Sequence, residues 1–162
     1  MSWKYRRCCG IDVHKDQVTV CVLPPDGQEG EVVVKVYRTF TENLRQLRFW
    51  LQALKVTDVA MESTGVYWRP VWNVLEGHFR LLLVNPAQVK ALLGRKSDRR
   101  DARRIAEFLR DERLDASFVP PPEIRYLREL LRDRVSLVEE RTRVGNQIRA
   151  LLETANIKLG SV

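Results

Sequence analysis

The stretch "RRCCGIDVHKDQVTVCVL", Arg6 to Leu23, decides the fold. Arg6–Val13 and Gln17–Leu23 are two apolar runs separated only by the polar residues His14, Lys15 and Asp16. Such runs around a short polar turn read as paired antiparallel strands. The second alternates through Val18, Val20 and Val22. "PPDGQEG" is a turn by composition, and "EVVVKVYR" from Glu31 is a third β-branched strand. The chain therefore opens on an antiparallel meander.

Outward from the meander the pattern changes period. Thr41 is placed to cap a helix carrying Leu44, Leu47, Leu51 and Leu54 on one face. A short strand follows over Asp58–Met61. "ESTGVYWRPVWNVLEGH" holds a helix with Tyr67, Val71, Val74, Leu75 and His78 on one stripe and Pro70 near its start. "FRLLLVNP" is a short apolar strand of the kind buried on both faces. Asn85, Pro86 and Gln88 read as N-cap, first-turn proline and capping-box partner of a short helix that Gly94 ends. A further helix runs from a Ser97 cap to Arg110, and "VPPPE" then breaks the chain. Ile124, Leu127, Leu131, Val135, Val138, Gly145, Ile148 and Leu152 mark a three-four stripe on a long arm reaching about Leu159.

Strand meander, helix, strand, helix, strand, helices is the order of a mixed α/β fold. Right-handed crossovers then give a five-stranded sheet with helices on both faces. This is the order expected of a ribonuclease-H-like domain; another open α/β sheet is the alternative. The expected division is an α/β domain over residues 1–119 and a helical arm over residues 120–162.

The bulk composition narrows the partners. The chain of 162 residues carries a net charge of +7, and arginine outnumbers lysine 21 to 7. An anionic partner follows, and arginine favours forked contacts to phosphates and base edges. Cys8, Cys9 and Cys21 fit no metal-ligand spacing and read as small buried thiols of a reduced, cytoplasmic protein. No signal-peptide pattern and no long apolar span points to a membrane.

Within "GRKSDRRDARR", Gly94 to Arg104, two aspartates sit among six basic residues. On a helical projection Asp98 and Asp101 share an arc with Ala102, Ile105, Ala106, Phe108 and Leu109. Arg99, Arg100, Arg103, Arg104 and Arg110 fall opposite. Surface ion pairing would mix the signs; helix-dipole compensation covers Asp98 but not an inward Asp101. Inward carboxylates need a positive partner, either Lys or Arg from elsewhere or a metal. Asp12 ends the first strand and Glu62 ends the fourth, at strand ends where open α/β sheets place their sites. Singly, each reads as a turn starter or a helix cap. Four carboxylates converging from two strands and one helix face are harder to explain by structure alone. All-oxygen ligands select Mg²⁺ or Mn²⁺, and two such ions can clamp both oxygens of a phosphoryl transfer.

"GIDVHK", "ESTGVYW", "VNPAQVKALLGRKSDRRDARRIAEFL" and the Arg-rich helix after them resemble the DEDD transposases of bacterial insertion sequences. The resemblance runs from Gly10 nearly to the end of the chain. It implies a RuvC-like domain followed by a coiled coil, with Asp12, Glu62, Asp98 and Asp101 as the metal-binding catalytic acids. It also implies DNA as substrate, a structured bridge RNA as guide, and a nucleophilic serine in a further domain. The chain departs from that pattern: it stops at Val162 without the serine-bearing domain, and alone it is expected not to complete strand exchange.

Around the acids, Lys15, Arg95, Lys96, Arg99, Arg100, Arg103 and Arg104 are candidates for gripping phosphates, although each reads equally as a solvated surface charge. Ser63, Thr64 and Gly65 read as a helix cap or a phosphate contact, and His14 as structural or solvent-facing. Tyr67 reads as core, while one of Trp68 and Trp72 is the candidate for stacking on a base. The arm is a candidate for self-association. Two other readings compete. One is a nucleic-acid-binding and oligomerising module without chemistry. The other, a sugar-kinase-like ATPase, needs a second phosphate loop that the chain lacks. A stand-alone Holliday-junction nuclease shares the four acids but not "ESTGVYW" or the trailing helix.

Overall fold

The computed structural model describes residues 7–25, 30–63, 65–88 and 98–160, with residues 98–100 described by backbone alone. Two compact units are present, Met1–Phe118 and Val119–Val162. The first is a five-stranded sheet in the order β3-β2-β1-β4-β5. Its strands are β1 (Cys8–Val13), β2 (Gln17–Val22), β3 (Val33–Arg38), β4 (Asp58–Glu62) and β5 (Arg80–Val84). The meander β1–β2–β3 is antiparallel, and β1–β4 and β4–β5 are parallel. The mixed sheet expected from the sequence is the one observed.

Three helices of this unit are α1 (Thr41–Ala53), α2 (Trp68–Leu75) and α3 (Asp98–Arg110). Central β1 is buried along its whole length, as its unbroken run of small and apolar residues requires. Strand alternation sorts its neighbours. Cys8, Ala60 and Val84 pack with Ile105 and Leu109 of α3, and Cys21 and Leu23 pack with Ala102 and Ala106. Helix α3 therefore lies on one face. On the other face Lys35 and Tyr37 of β3 both reach Trp50 of α1, and α1 packs on α2. Ile11, Leu47, Leu51, Met61 and Ile105 are fully shielded. Each contributes about 1.5–3 kcal/mol of burial.

Several local expectations give way. Helix α1 is capped at Phe40 with no side-chain bond, so Thr41 is its first residue, not its cap. Helix α2 buries Val71, Trp72 and Leu75, while Tyr67 and His78 are exposed. Helix α2 starts only at Trp68, after a turn at Gly65 with φ of 54°, which leaves Tyr67 as its N-cap residue. Strand β5 is an edge, not a doubly buried strand: only Leu83 and Val84 are buried. Asn85 does cap, its Oδ1 accepting from the Ala87 amide at 2.9 Å. Gln88 spends its side chain on Asp115 instead of closing a capping box. The expected stop at Gly94 and cap at Ser97 lie outside the described residues.

The second unit contains α4 (Pro122–Thr154), with no buried side chain. It ends five residues short of Leu159. Asn156 adopts a left-handed conformation (φ 59°), and the Ile157 and Asn156 amides bond back to Leu152 and Glu153. These are the two bonds of a Schellman stop. Among the described residues no helix is long and apolar enough to cross a membrane.

Candidate active site

The site is set by how closely α3 approaches β1. A Cβ at Gly10 would collide with the Ala102 carbonyl oxygen and the Ala106 amide nitrogen. Glycine in the strand and alanines on the helix thus let two backbones touch. Asp12 lies two residues beyond Gly10 and so on the same face. Parallel pairing runs from Cys8↔Asp58 to Ile11↔Met61, and the next register step sets Asp12 beside Glu62. Across the antiparallel pair Asp12 faces Thr19, which is buried. On α3, Asp101 is 8% exposed, next to the Ala102 that meets Gly10.

The electrostatics tie these acids together. Burial raises the Asp12 carboxyl's affinity for its proton; His14 opposes this, and the charges of Glu62 and Asp101 reinforce it. The charges of an acid on β4 and one on α3 are therefore both felt at Asp12 of β1. Asp101 Oδ1 is buried without a hydrogen-bond partner, an expensive state for a carboxylate oxygen. His14 Nε2 lies 3.1 Å from Asp12 Oδ2. This half-exposed ring is a site residue that the sequence pattern does not single out, although its position two residues from Asp12 puts both on one side of the chain.

The turn that carries His14 is pinned. The His14 amide donates to the Gln17 carbonyl at 3.0 Å. Thr39 holds the turn from outside, its hydroxyl donating to the Lys15 carbonyl at 2.9 Å and its amide to the Asp16 carbonyl at 3.2 Å. Lys15 is exposed in this turn, at the end of the sheet where Asp12 sits.

Of the basic candidates, Arg103 is exposed and its Nε donates to Glu107 Oε1 at 2.8 Å. The helix's outer face is thus not free of acid pairing, because Glu107 sits one turn on. Arg104 is half-buried. Arg95 and Lys96, and the side chains of Asp98, Arg99 and Arg100, lie outside the described residues.

A hard divalent cation fits this donor set. Oxygen ligands suit it, the orphaned Asp101 oxygen needs a positive partner, and cation charge would relieve the repulsion felt at Asp12. Among the described residues no three His, Cys, Asp or Glu side chains already stand in ligating positions.

A family model described as a transposase, of the DEDD type and IS110 group, matches residues 9–157. The chain belongs to this DEDD transposase family. No curated relative matches it significantly. Its fold is similar to that of Thermus thermophilus RuvC, with a TM-score of 0.50 at 17% identity over 68% of this chain and 99% of that one. Against T. thermophilus RuvC in complex with a Holliday junction substrate the TM-score is 0.54, at 15% identity over 70% and 100%. The fold is thus RuvC-like, and the family is one of transposases.

Proposed function

We propose that Asp12, Glu62, Asp98 and Asp101 hold one or two Mg²⁺ or Mn²⁺ ions and that the chain acts with them on phosphodiester bonds in DNA transposition, directed by a structured guide RNA. The observation that carries this reading is the raised proton affinity of Asp12 opposite Glu62 and Asp101, with the Asp101 oxygen unpartnered. Bound there, such ions supply Lewis acidity toward the phosphate and toward an attacking oxygen. The chain's own residues do the rest. His14 orients the Asp12 carboxylate. Lys15, Arg95, Lys96, Arg99, Arg100, Arg103 and Arg104 grip backbone phosphates beside it. Residues 1–119 carry the metal site and residues 120–162 the self-associating arm, and the protein works in the cytoplasm with the DNA.

The Holliday junction in the T. thermophilus RuvC complex is that protein's substrate; through the shared fold it adds support for a duplex-derived substrate here. A second reading has its own support. An arm with no buried side chain is built for partners, so the chain could bind nucleic acid and assemble without performing chemistry. The two separate in one experiment. Asp12→Asn and Glu62→Gln should abolish Mn²⁺-dependent cleavage of transposon-end DNA while leaving RNA and DNA binding intact. Wild-type protein that binds but never cleaves would establish the second reading instead.

A further inference from the structure

The turn after β4 displays two apolar side chains that the fold does not use. Val66 is 59% exposed and Tyr67 38% exposed. They follow Glu62 by four and five residues, at the end of the sheet that carries Asp12 and Glu62. The two are adjacent, and Tyr67 has the right spacing to join the buried stripe of α2. It does not join it: Tyr67 is the N-cap residue, and Val71, Trp72 and Leu75 are the buried residues of α2.

Described residues on both sides of the turn are hydrogen-bonded. At its start the Ser63 amide donates to the Val84 carbonyl of β5 at 2.9 Å. At its end the Arg69 amide donates to the Val66 carbonyl at 3.2 Å, and Tyr67 is the N-cap residue of α2. Trp68 packs edge-on against buried Trp72, with ring centroids 5.8 Å apart and planes at 89°. Gly65 turns the chain in the left-handed region, and the Tyr67 ring lies over it, 3.8 Å from where a Cβ would stand. An aliphatic and an aromatic side chain are therefore presented together, next to the bonded start of α2.

We propose that Val66 and Tyr67 form a wedge that takes up one unstacked base of the DNA strand bound at the carboxylates. The inference rests on the reading of those carboxylates as a DNA site. Every base has a π-face that an aromatic ring can cover without regard to sequence. Apolar wedges enter DNA where base steps are unstacked and the duplex is kinked. The net charge of +7 brings the backbone in, and the wedge gives it a preference for distorted over regular duplex at the point of reaction.

The test uses the full chain in Ca²⁺ buffer and two DNA probes of equal length, one fully paired and one with a single bulged 2-aminopurine. Wild-type protein is expected to bind the bulged probe more tightly and to quench its fluorescence by stacking. Tyr67→Ala should lose about 5- to 140-fold in affinity for the bulged probe, the range of one base–aromatic stack at 1.4 kcal/mol per tenfold. Tyr67→Trp should restore both preference and quenching, and Val66→Ala should lose part of the preference. Equal affinity of Tyr67→Ala and wild type for the bulged probe, with quenching retained, overturns the wedge. Mn²⁺-induced stabilisation of each variant is measured alongside. If that shift is absent from wild type as well, the metal-site reading fails; if it is present while the bulge preference is absent, the wedge alone fails.

Discussion

Gly10 of β1 and Ala102 of α3 touch backbone to backbone, and this contact sets how near Asp101 comes to Asp12. A methyl group at Gly10 would meet carbonyl and amide atoms of α3, which have no rotamer to escape into. Gly10→Ala should therefore push the helix off the strand, at about 1–3 kcal/mol or more for overpacking. Chemical denaturation reads the loss, and a Mn²⁺ titration followed by melting temperature should show a weakened response. A variant as stable as wild type would mean that α3 does not press on β1 at this glycine.

The pH dependence of the metal-free protein should carry the signature of Asp12. Burial, reinforced by Glu62 and Asp101 against the pull of His14, holds its folded value above the unfolded one, which is near about 3.9. The folded state then binds the proton more tightly. Its contribution to stability is full below the unfolded value and is lost as pH rises through the folded value. In EDTA, Asp12→Asn should thus gain on wild type as pH climbs above about 4, and melt higher at neutral pH. Adding Mn²⁺ at about 100 times its dissociation constant should return about 2.7 kcal/mol to wild type and little to the variant. A wild type that is more stable than Asp12→Asn in EDTA at neutral pH would contradict the crowding of charge.

The meander, the crossovers and the inner arc of α3 are legible in the sequence because each is a periodic pattern that burial enforces. Ala102, Ile105, Ala106 and Leu109 are buried as the projection requires. Asp101 shares their arc, and Asp12 and Glu62 fall at neighbouring strand ends from strand order alone. Gly10 carries a further signal: glycine inside an apolar strand marks a close backbone approach. Thr39 carries none, since its bonds to the turn at Lys15 and Asp16 join segments 24 residues apart or nearly so. Tyr67 escapes the helical projection because a stripe fixes angles around a helix but not where the helix begins.

Helix ends are least legible, and for one reason. Lys55, Glu112 and Asn156 all adopt φ near 55–59°, where glycine is the usual occupant. At Lys55 and Glu112 the amides return to Gln52 and Leu109, and those of Val56 and Arg113 to Leu51 and Phe108. A left-handed conformation costs an ordinary residue about 1–2 kcal/mol, part of which glycine gives back through its freer unfolded state. Lys55→Gly and Glu112→Gly should each stabilise the protein by up to about 1 kcal/mol. Equilibrium denaturation checks this; a loss of stability would show that the replaced side chain does more than cap.

Phosphate contacts from α3 should be visible in salt dependence. Each phosphate neutralised on duplex DNA contributes about 0.9 to the slope of log affinity against log salt. Replacing Arg103 and Arg104 by Ala should lower that slope by up to about 1.8 and weaken binding across sequences. Glu107 competes for Arg103 through the 2.8 Å contact, so Glu107→Gln should tighten DNA binding at low salt. Slopes that are unchanged in both variants would move the phosphate track away from this helix.

The arm should associate, and weakly. In α4, Ile124, Leu131 and Val138 recur every seven residues with Leu127 and Ile148 between the same registers, and all are exposed. A stripe of this kind finds a partner helix. The seam is broken in the middle, where Arg134, Arg141 and Gly145 fall at positions that a tight pair fills with apolar side chains. Open space surrounds a Cβ built on Gly145, so a larger residue fits there without strain. Gly145→Leu should raise helix propensity by up to about 1 kcal/mol per chain and extend the seam. Sedimentation equilibrium should then show a dimer forming at lower concentration than in wild type, and the pair Leu131→Glu with Val138→Glu should remain monomeric throughout. If wild type, Gly145→Leu and the double variant all sediment as the same concentration-independent species, the stripe of α4 is not an association surface.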